Sequence, residues 1–235
     1  MEASIFDNYP GSKGGSGTYQ KLINLMPPHR EYVELYLGGG AVMRNKRPAL
    51  VNVGIDLNPG VVAQWSAERS GELANTTILR GDAAQYLRKH GSALAYDTLV
   101  YADPPYLMST RKSKRQLYAF ELGDEAEHRE LLDLLKGLRC MVMISGYWSS
   151  LYAEMLETWR TYSFQAVTRS GEMATEWVWM NYPEPFELHD YRYLGENFSE
   201  LERIKRKTQR WSERLAKLDK LERMALLEAM QEMRR

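Results

Sequence analysis

Asp103, Pro104, Pro105 and Tyr106 are the four consecutive residues whose types are best suited to chemistry. They follow the run LVYA, whose β-branched and aromatic residues predict a buried strand. Because proline donates no hydrogen bond to a strand partner, the strand must end at Asp103. The prolines also restrict the backbone around them, which makes the corner stiff. The sequence therefore predicts a fixed arrangement of a carboxylate, a carbonyl and an aromatic ring.

Two acceptors held at this spacing could act on an aromatic amine. Such an amine is a poor nucleophile because its lone pair is delocalised into the ring. If one amine proton points at the Asp103 carboxylate and the other at the Pro104 carbonyl, the nitrogen is pulled towards tetrahedral geometry. Its lone pair is then directed out of the ring plane at an electrophile. With the Tyr106 ring stacked on the base, the corner favours group transfer to a nucleobase amine.

A second group of residues suits a nucleoside. The predicted strand EYVELY leads into glycines that include Gly38 and Gly40, and the next predicted strand ends at Asp56. Glycines at a strand-to-helix turn let a ligand approach the backbone, and an acid at the second strand end can bind both ribose hydroxyls. NAD and ATP are disfavoured, because Met43 replaces the third fingerprint glycine and no phosphate-binding lysine motif follows.

Acidic residues lie at or just beyond the ends of four predicted strands. They are Glu34, Asp56, Asp82 and Asp103. The carboxyl ends of adjacent strands line one crevice in an open α/β sheet, so we expect all four acids to face it. Asp82 keeps two interpretations, because it could be a helix N-cap or could bind adenine. Tyr147 or Trp148, in a later loop, could form a wall of the base pocket.

The elements that position these residues alternate between apolar runs and helical patterns, which is typical of a sheet with helices on both faces. We predict strands at residues 31–36, 50–56, 76–79, 97–102, 139–145, 162–168 and 175–181. The last two are too close in sequence for a crossover helix and should form an antiparallel hairpin. The expected architecture is a Rossmann-like α/β domain over residues 1–182 and a C-terminal helical extension over residues 183–235.

Composition restricts the class of protein. The 31 Lys and Arg residues balance 31 Asp and Glu residues, so any affinity for nucleic acid must come from local patches. The single cysteine, Cys140, lies in an apolar run and is expected in the core of a protein from a reducing compartment. No signal sequence or membrane-spanning run is evident, which predicts a cytoplasmic protein. No Cys or His cluster has metal-ligand spacing, and His29 and His128 are expected at the surface.

The order and spacing of six motifs resemble those of the Dam-like DNA adenine methylases of the alpha group, particularly the short phage and prophage versions. The resemblance covers roughly residues 8–182. The motifs are YPGSKG, VELYLGGGAV, GIDLNP, GDA, DPPY and TEWVWMNY. The resemblance implies a class I methyltransferase sheet, S-adenosylmethionine as cofactor, an adenine flipped out of the duplex, and no metal.

The resemblance also implies roles for individual residues. Lys13 would lie near the cofactor carboxylate, Glu34 beside the methionine moiety, and Asp56 on the ribose. The expected cofactor-binding residues are Tyr9, Lys13, Glu34, Tyr36, Gly38, Gly40, Asp56, Leu57, Asp82 and Ala83. The expected catalytic residues are Asp103, Pro104, Pro105 and Tyr106.

One departure from the family concerns recognition of the substrate. Dam-like enzymes commonly carry a target-recognition insert between the adenine-binding segment and DPPY, but one predicted helix and one strand fill that stretch here. Two basic regions could contact phosphates instead, one in the loop after DPPY and one in the tail. The residues expected to bind nucleic acid are Arg111, Lys112, Lys114, Arg115, Arg203, Arg206, Lys207 and Arg210.

The tail is predicted to form two helices folded back as a hairpin. Apolar residues recur at steps of three and four from Leu201 to Leu218, and Asp219 with Glu222 forms a second capping box. A solvated charged face and a dimerising coil are the alternatives to a helical clamp on the DNA backbone. We favour the clamp because the cations concentrate on the first helix.

The sequence predicts an S-adenosylmethionine-dependent DNA adenine-N6 methyltransferase that acts on double-stranded DNA. Methylation of RNA is one alternative, since an enzyme for structured RNA could also lack the insert. A catalytically silent nucleic-acid-binding module of the same fold is another. We expect no obligate protein partner.

Overall fold

Seven strands form one mixed sheet in the computed structural model, which describes residues 13–14, 17–67, 75–110, 122, 124–168 and 171–233. The strands are β1 (Glu31–Leu35), β2 (Val51–Asp56), β3 (Thr76–Arg80), β4 (Thr98–Ala102), β5 (Met141–Gly146), β6 (Arg160–Val167) and β7 (Met173–Met180). Each predicted strand is confirmed, and its bounds differ from the prediction by no more than two residues.

The strands follow the order β3-β2-β1-β4-β5-β7-β6. β1 to β5 pair in parallel, whereas β7 runs antiparallel to both β5 and β6. The predicted antiparallel hairpin is therefore confirmed, and so is the expected α/β sheet of seven strands that ends in it. Because Leu35 is in register with both Ile55 and Ala102, the carboxyl ends of β1, β2 and β4 lie side by side.

Eight α-helices lie in the described part of the chain. They are α1 (Thr18–Ile23), α2 (Ala41–Asn45), α3 (Pro59–Ala67), α4 (Ala83–His90), α5 (Glu125–Lys136), α6 (Ser150–Met155), α7 (Phe198–Ala216) and α8 (Lys220–Glu232). The Asp82 side chain caps α4 by accepting a hydrogen bond from the Gln85 backbone at 2.9 Å. Asp124 caps α5 in the same way. The Asp82 cap agrees with one of the two interpretations that the sequence allows for this residue.

The hydrophobic core includes the central strands and the helices α4 to α6. Val33, Val100 and Val142 are fully buried on β1, β4 and β5, and Leu132 of α5 packs in the same cluster. Central parallel strands are covered on both faces, which explains their nearly continuous apolar sequence. Cys140 is buried, as predicted.

The prediction that His29 and His128 lie at the surface is wrong. His128 is fully buried, because it shares the core-facing stripe of α5 with three leucines, and its Nδ1 lies 2.9 Å from the Tyr152 hydroxyl. His29 stacks on His189 with ring centroids 3.7 Å apart. Burial lowers the pKa of His29 to about 2, and the nearby Lys46 charge adds to the effect. Helical spacing was the signal that would have placed His128 in the core.

The chain divides into one compact unit that ends at Asp190 and a second from Tyr191 to Arg235. The segment after β7 belongs to the first unit. Within it, the His189 backbone donates to the Met26 carbonyl at 3.0 Å, and Asp190 accepts a hydrogen bond from the Arg47 backbone at 2.8 Å. The predicted boundary at residue 183 stays a prediction.

The second unit contains α7 and α8 as two successive helices. Asp219 caps α8 by accepting hydrogen bonds from the Leu221 and Glu222 backbones, as the capping box predicts. Neither helix has a buried residue, so the packing expected of a folded-back hairpin is not observed. A capping box specifies where a helix begins but not the direction in which it leaves. None of the described helices combines the length and apolarity of a membrane span.

Candidate active site

Asp103 follows β4 directly and is held by residues of other elements. Its Oδ1 accepts a hydrogen bond from the Ser145 hydroxyl, at the end of β5, at 2.8 Å. The same oxygen lies 3.0 Å from the Lys13 ammonium. The Ser145 hydroxyl is in turn 2.8 Å from that of Tyr101, a fully buried residue of β4. The strand ends where the prolines predict, and the carboxylate beyond it is fixed by at least two donors.

Lys13 lies at this corner, between two carboxylates. Its ammonium is 2.6 Å from Glu176 Oε1 and 3.0 Å from Asp103 Oδ1. Burial alone would lower the pKa of Lys13, but the charges of Asp103 and Glu176 outweigh burial and raise it above its ordinary value. Lys13 therefore stays charged and forms part of the corner at Asp103. Its expected position near the cofactor carboxylate stays a prediction.

Glu176 is a site residue that the sequence reasoning missed. It lies in the middle of β7, is 4% exposed, and accepts hydrogen bonds at Oε1 from Lys13 and from the Tyr106 hydroxyl, both at 2.6 Å. A carboxylate inside an apolar strand requires a charged or donor partner, because burying an unpaired charge is costly. This isolated acid in TEWVWMN was the available signal. The sequence could not indicate which donors it meets.

The aromatic side of the corner consists of two tyrosines. The rings of Tyr106 and Tyr147 have centroids 4.4 Å apart, and the Lys13 ammonium lies 4.9 Å from the Tyr106 centroid. The Tyr106 hydroxyl also contacts that ammonium. Trp148 is 54% exposed. Of the two residues considered for a wall of the base pocket, Tyr147 is the one that adjoins Tyr106.

The acidity of Asp103 depends on this environment. Burial raises the pKa of the Asp103 carboxyl to about 6; Lys13 opposes the rise, Glu176 adds to it, and the hydrogen bonds from Lys13 and Ser145 oppose it. Asp103 is consequently ionised at neutral pH and becomes protonated in mildly acidic solution. An ionised Asp103 can only accept hydrogen bonds, which is the role that the corner requires.

The glycine turn after β1 is the most unusual stretch of backbone in the described chain. Tyr36, Gly38 and Gly40 have φ angles of 59°, 48° and 54°. Tyr36 is the one described non-glycine residue with positive φ, a conformation that costs energy and clusters at functional sites. A Cβ atom on Gly40 would lie 2.2 Å from the ring of Trp65, so this position requires glycine.

Asp56 connects the end of β2 to this turn. Its Oδ2 accepts a hydrogen bond from the Gly38 backbone and its Oδ1 one from the Asn58 backbone, each at 2.8 Å. Burial raises the pKa of Asp56, and these two backbone hydrogen bonds oppose the rise. The structure therefore brings the strand-end acid and the glycine turn together, and their roles in cofactor binding stay predictions.

Glu34 lies one residue before the end of β1 and is 4% exposed. It accepts a hydrogen bond from the Tyr32 hydroxyl at 2.8 Å. Burial raises the pKa of Glu34 to about 8 against the effect of that hydrogen bond, and the Asp103 charge adds to the rise. Glu34 is in register with Tyr101 of β4, so it lies on the strand next to the one that Asp103 follows.

These residues fit the chemistry of S-adenosylmethionine. Asp56 uses two lone-pair directions for backbone hydrogen bonds and keeps others for a ribose diol. Leu57, the next residue, is 40% exposed and offers an apolar surface beside that carboxylate. Asp82 serves as the N-cap of α4, whose first residue, Ala83, is buried. The contacts of Asp82 and Ala83 with adenine stay predictions.

Some predicted site residues lie elsewhere in the chain. Tyr9 and the loop cations Arg111, Lys112, Lys114 and Arg115 are outside the described residues. The four α7 cations that are expected to bind nucleic acid are exposed. These cations are Arg203, Arg206, Lys207 and Arg210. They belong to the second unit, and their contact with nucleic acid stays a prediction.

Solved structures with a related fold are distant in sequence. TrmK of M. capricolum, in complex with S-adenosyl-homocysteine, has 8% identity and a TM-score of 0.47, with 94% of this chain and 96% of that chain covered. An rRNA methylase from Streptococcus thermophilus has 13% identity and a TM-score of 0.46, with 69% and 93% covered. No curated protein matches the chain.

A family model does match the chain. The model of the D12 class N6 adenine-specific DNA methyltransferases matches residues 51–173, just over half of the sequence. The match runs from the start of β2 to the start of β7 and includes Asp56, Asp82 and the DPPY corner. It confirms the Dam-like resemblance and, with it, S-adenosylmethionine as the cofactor. The chain therefore belongs to the family of D12 class N6 adenine-specific DNA methyltransferases.

Proposed function

We propose that the protein transfers a methyl group from S-adenosylmethionine to the exocyclic N6 amine of an adenine in double-stranded DNA. The observation that carries this proposal is the corner at the end of β4. There the Asp103 carboxylate is held by Ser145 and Lys13 and is followed by the Pro104 carbonyl. Two acceptors at adjacent residues match the two protons of one amino group.

Asp103 and Pro104 would act on the target nitrogen by accepting its two protons in hydrogen bonds. The nitrogen lone pair would then point out of the base plane and form a bond to the methyl carbon, while the carbon–sulfur bond breaks and its electron pair stays on the sulfur of the departing S-adenosylhomocysteine. The methylated nitrogen would afterwards lose one proton, which Asp103 or solvent water can accept. Acceptors that are already oriented lower the barrier because they need no reorganisation during the reaction.

Tyr106 would bind the face of a target base outside the duplex. An enzyme that reacts at a base edge must take the base out of the stack, which costs a few kcal/mol. Hydrogen bonding to Glu176 and the neighbouring Tyr147 ring fix the orientation of the Tyr106 ring. A preoriented aromatic surface offsets part of the unstacking cost.

The cations on α7 would bind the DNA backbone. Arg203 and Arg210 are seven residues apart on the helix, and Arg206 and Lys207 lie between them, so several cations can follow one line of phosphates. Arg203 also forms an exposed ion pair with Glu200 at 3.2 Å, which contributes little to stability and can be exchanged for phosphate. Such contacts bind any sequence, so they supply affinity and not specificity.

Methyl transfer with defined substrates tests the proposed function. Protein and radiolabelled S-adenosylmethionine are incubated with duplex DNA, single-stranded DNA or rRNA at matched nucleotide concentration, and methylated nucleosides are identified by mass spectrometry. We expect N6-methyladenine in duplex DNA. Asp133→Asn, which changes an exposed acid of α5, serves as the active control and Asp103→Ala as the inactive one. Methylation of rRNA alone, of cytosine, or of no nucleic acid would contradict the proposal.

A further inference from the structure

We propose that Glu176 is a positioning residue for methyl transfer, which holds Lys13 and Tyr106 in fixed positions beside Asp103. This inference rests on the proposed function, because it assigns Glu176 to the same site. Glu176 lies beyond the region that the family model matches. It would not touch the reacting atoms and would act through two residues that adjoin them.

The geometry shows one oxygen atom that connects the parts of the corner. Glu176 Oε1 accepts hydrogen bonds from the Lys13 ammonium and the Tyr106 hydroxyl, both at 2.6 Å. Lys13 reaches Asp103 as well, at 3.0 Å. Glu176 therefore fixes both the cation that contacts the catalytic carboxylate and the ring that would stack on the base.

The sheet places Glu176 beside the second support of Asp103. β7 pairs with β5 so that Val178 is in register with Ser145 and Trp177 with Gly146. Ser145 on β5 donates directly to Asp103, whereas Glu176 on β7 acts through Lys13. Two adjacent strands thus support the carboxylate in two different ways, one neutral and one charged.

Stability of the sheet does not account for an acid at this position. Alternate residues of β7 share a face, and Val178 and Met180 on the same face as Glu176 are fully buried and apolar. Apolar replacements of buried ion pairs are often neutral or stabilising, so an apolar residue would serve the strand as well. What an apolar residue could not do is accept the two hydrogen bonds that orient Lys13 and Tyr106.

The charge of Glu176 also gives the proposal a readout that a purely structural role would not move. Glu176 raises the pKa of Asp103, and Lys13 lowers it. Among the described residues, the other titratable groups that interact electrostatically with Asp103 include Glu34, Tyr101 and Tyr152. Replacing Glu176 with Gln keeps an acceptor oxygen but removes the charge, so Asp103 should titrate at lower pH. Replacing Lys13 with Met should move its titration the opposite way.

The test compares Glu176→Ala and Glu176→Gln with the wild type, and with Glu172→Gln as an exposed control on the same hairpin. We measure kcat and KM for duplex DNA, cofactor affinity by calorimetry, and the pH dependence of kcat/KM. Glu176→Ala should lower kcat roughly 10- to 100-fold, the scale of a small misplacement of reacting groups. Its cofactor affinity should fall by a smaller factor than kcat, because Lys13 keeps its contact with Asp103. Glu176→Gln should recover most of kcat and shift the acid limb of the pH profile downward.

The outcome for Glu176 can be separated from the outcome for the function. If the wild type methylates DNA but Glu176→Ala retains kcat within twofold, the positioning role is wrong and the proposed function stands. A loss of kcat that Gln does not rescue, or a loss of cofactor affinity as large as the loss of kcat, also overturns the positioning role. If the wild type methylates no DNA, the proposed function fails. Titration of the Asp103 carboxyl by NMR, in the wild type and Glu176→Gln, then still tests the arrangement.

Discussion

The corner at Asp103 and helix α7 hold their charges in opposite ways. At the corner, Lys13, Asp103 and Glu176 come from distant parts of the chain, their side chains are largely buried, and each contacts at least one of the others. On α7 the cations are close in sequence and exposed. Buried, paired charges have one geometry and suit a reaction at a defined atom, whereas exposed cations on flexible stems suit a repetitive polyanion. The comparison separates the residues that would set the rate from those that would set affinity.

The largest expected effect concerns Asp103. Asp103→Ala should lower the single-turnover rate of methyl transfer at least about 100-fold, because it removes an oriented acceptor from the transition state. Cofactor affinity, measured by calorimetry, should change little, because Asp103 is expected to contact the target amine. A near-normal rate would remove Asp103 from the mechanism. A parallel loss of cofactor binding would place it in the cofactor site instead.

A change in the predicted cofactor site should lower cofactor affinity, which Asp103→Ala is expected to leave nearly unchanged. Asp56→Ala removes a carboxylate that accepts hydrogen bonds from Gly38 and Asn58 and is expected to bind the ribose. We expect cofactor binding to weaken by roughly 1 to 3 kcal/mol. Calorimetric titration measures the effect. Asp56→Asn controls for the backbone hydrogen bonds, because it keeps one acceptor oxygen. Unchanged affinity in both variants would show that the cofactor binds elsewhere.

Replacing the α7 cations should change the salt dependence of DNA binding more than the chemistry. Arg203, Arg206, Lys207 and Arg210, all changed to Gln, should flatten the slope of log affinity against log salt by roughly 3 to 4 units if each neutralises one phosphate. Fluorescence anisotropy of a duplex across a salt series measures the slope. The single-turnover rate at saturating DNA should be kept. An unchanged slope with a loss of self-association would make α7 an assembly element.

The smallest effect is on stability. The pKa of Asp103 is about 6, above its ordinary value, so the folded state binds this proton more tightly than the unfolded state. The carboxyl consequently costs no stability near pH 4, costs progressively more as pH rises to 6, and has a constant cost above that. The difference in stability between Asp103→Asn and the wild type should therefore shift in favour of the variant as pH rises from 4 to 7, because the Asn side chain carries no charge at any pH. Thermal unfolding across this pH range tests the sign.

Local patterns were sufficient to predict the sheet and the corner. Asp103 and the two prolines mark the end of β4 by rules that involve only neighbouring residues, and Asp82 and Asp124 mark helix starts in the same way. Glu176 and Lys13 could not be paired from the sequence, because 163 residues separate them and only the assembled sheet brings them together. The direction in which α8 follows α7 could not be predicted either, because it depends on packing and not on the cap at Asp219.

The contact between Lys13 and Glu176 also has a consequence for protein synthesis. Lys13 leaves the ribosome before any strand of the sheet, but its partner on β7 emerges only after six of the strands. Contacts between such distant segments form late, because closing a long loop must precede the interaction that rewards it. A chain interrupted before β7 can contain the whole DPPY motif and yet lack the acceptor that fixes Lys13 and Tyr106. Unfinished copies would therefore hold Asp103 without this support, and the corner at Asp103 would be completed among the last steps of folding of the first unit.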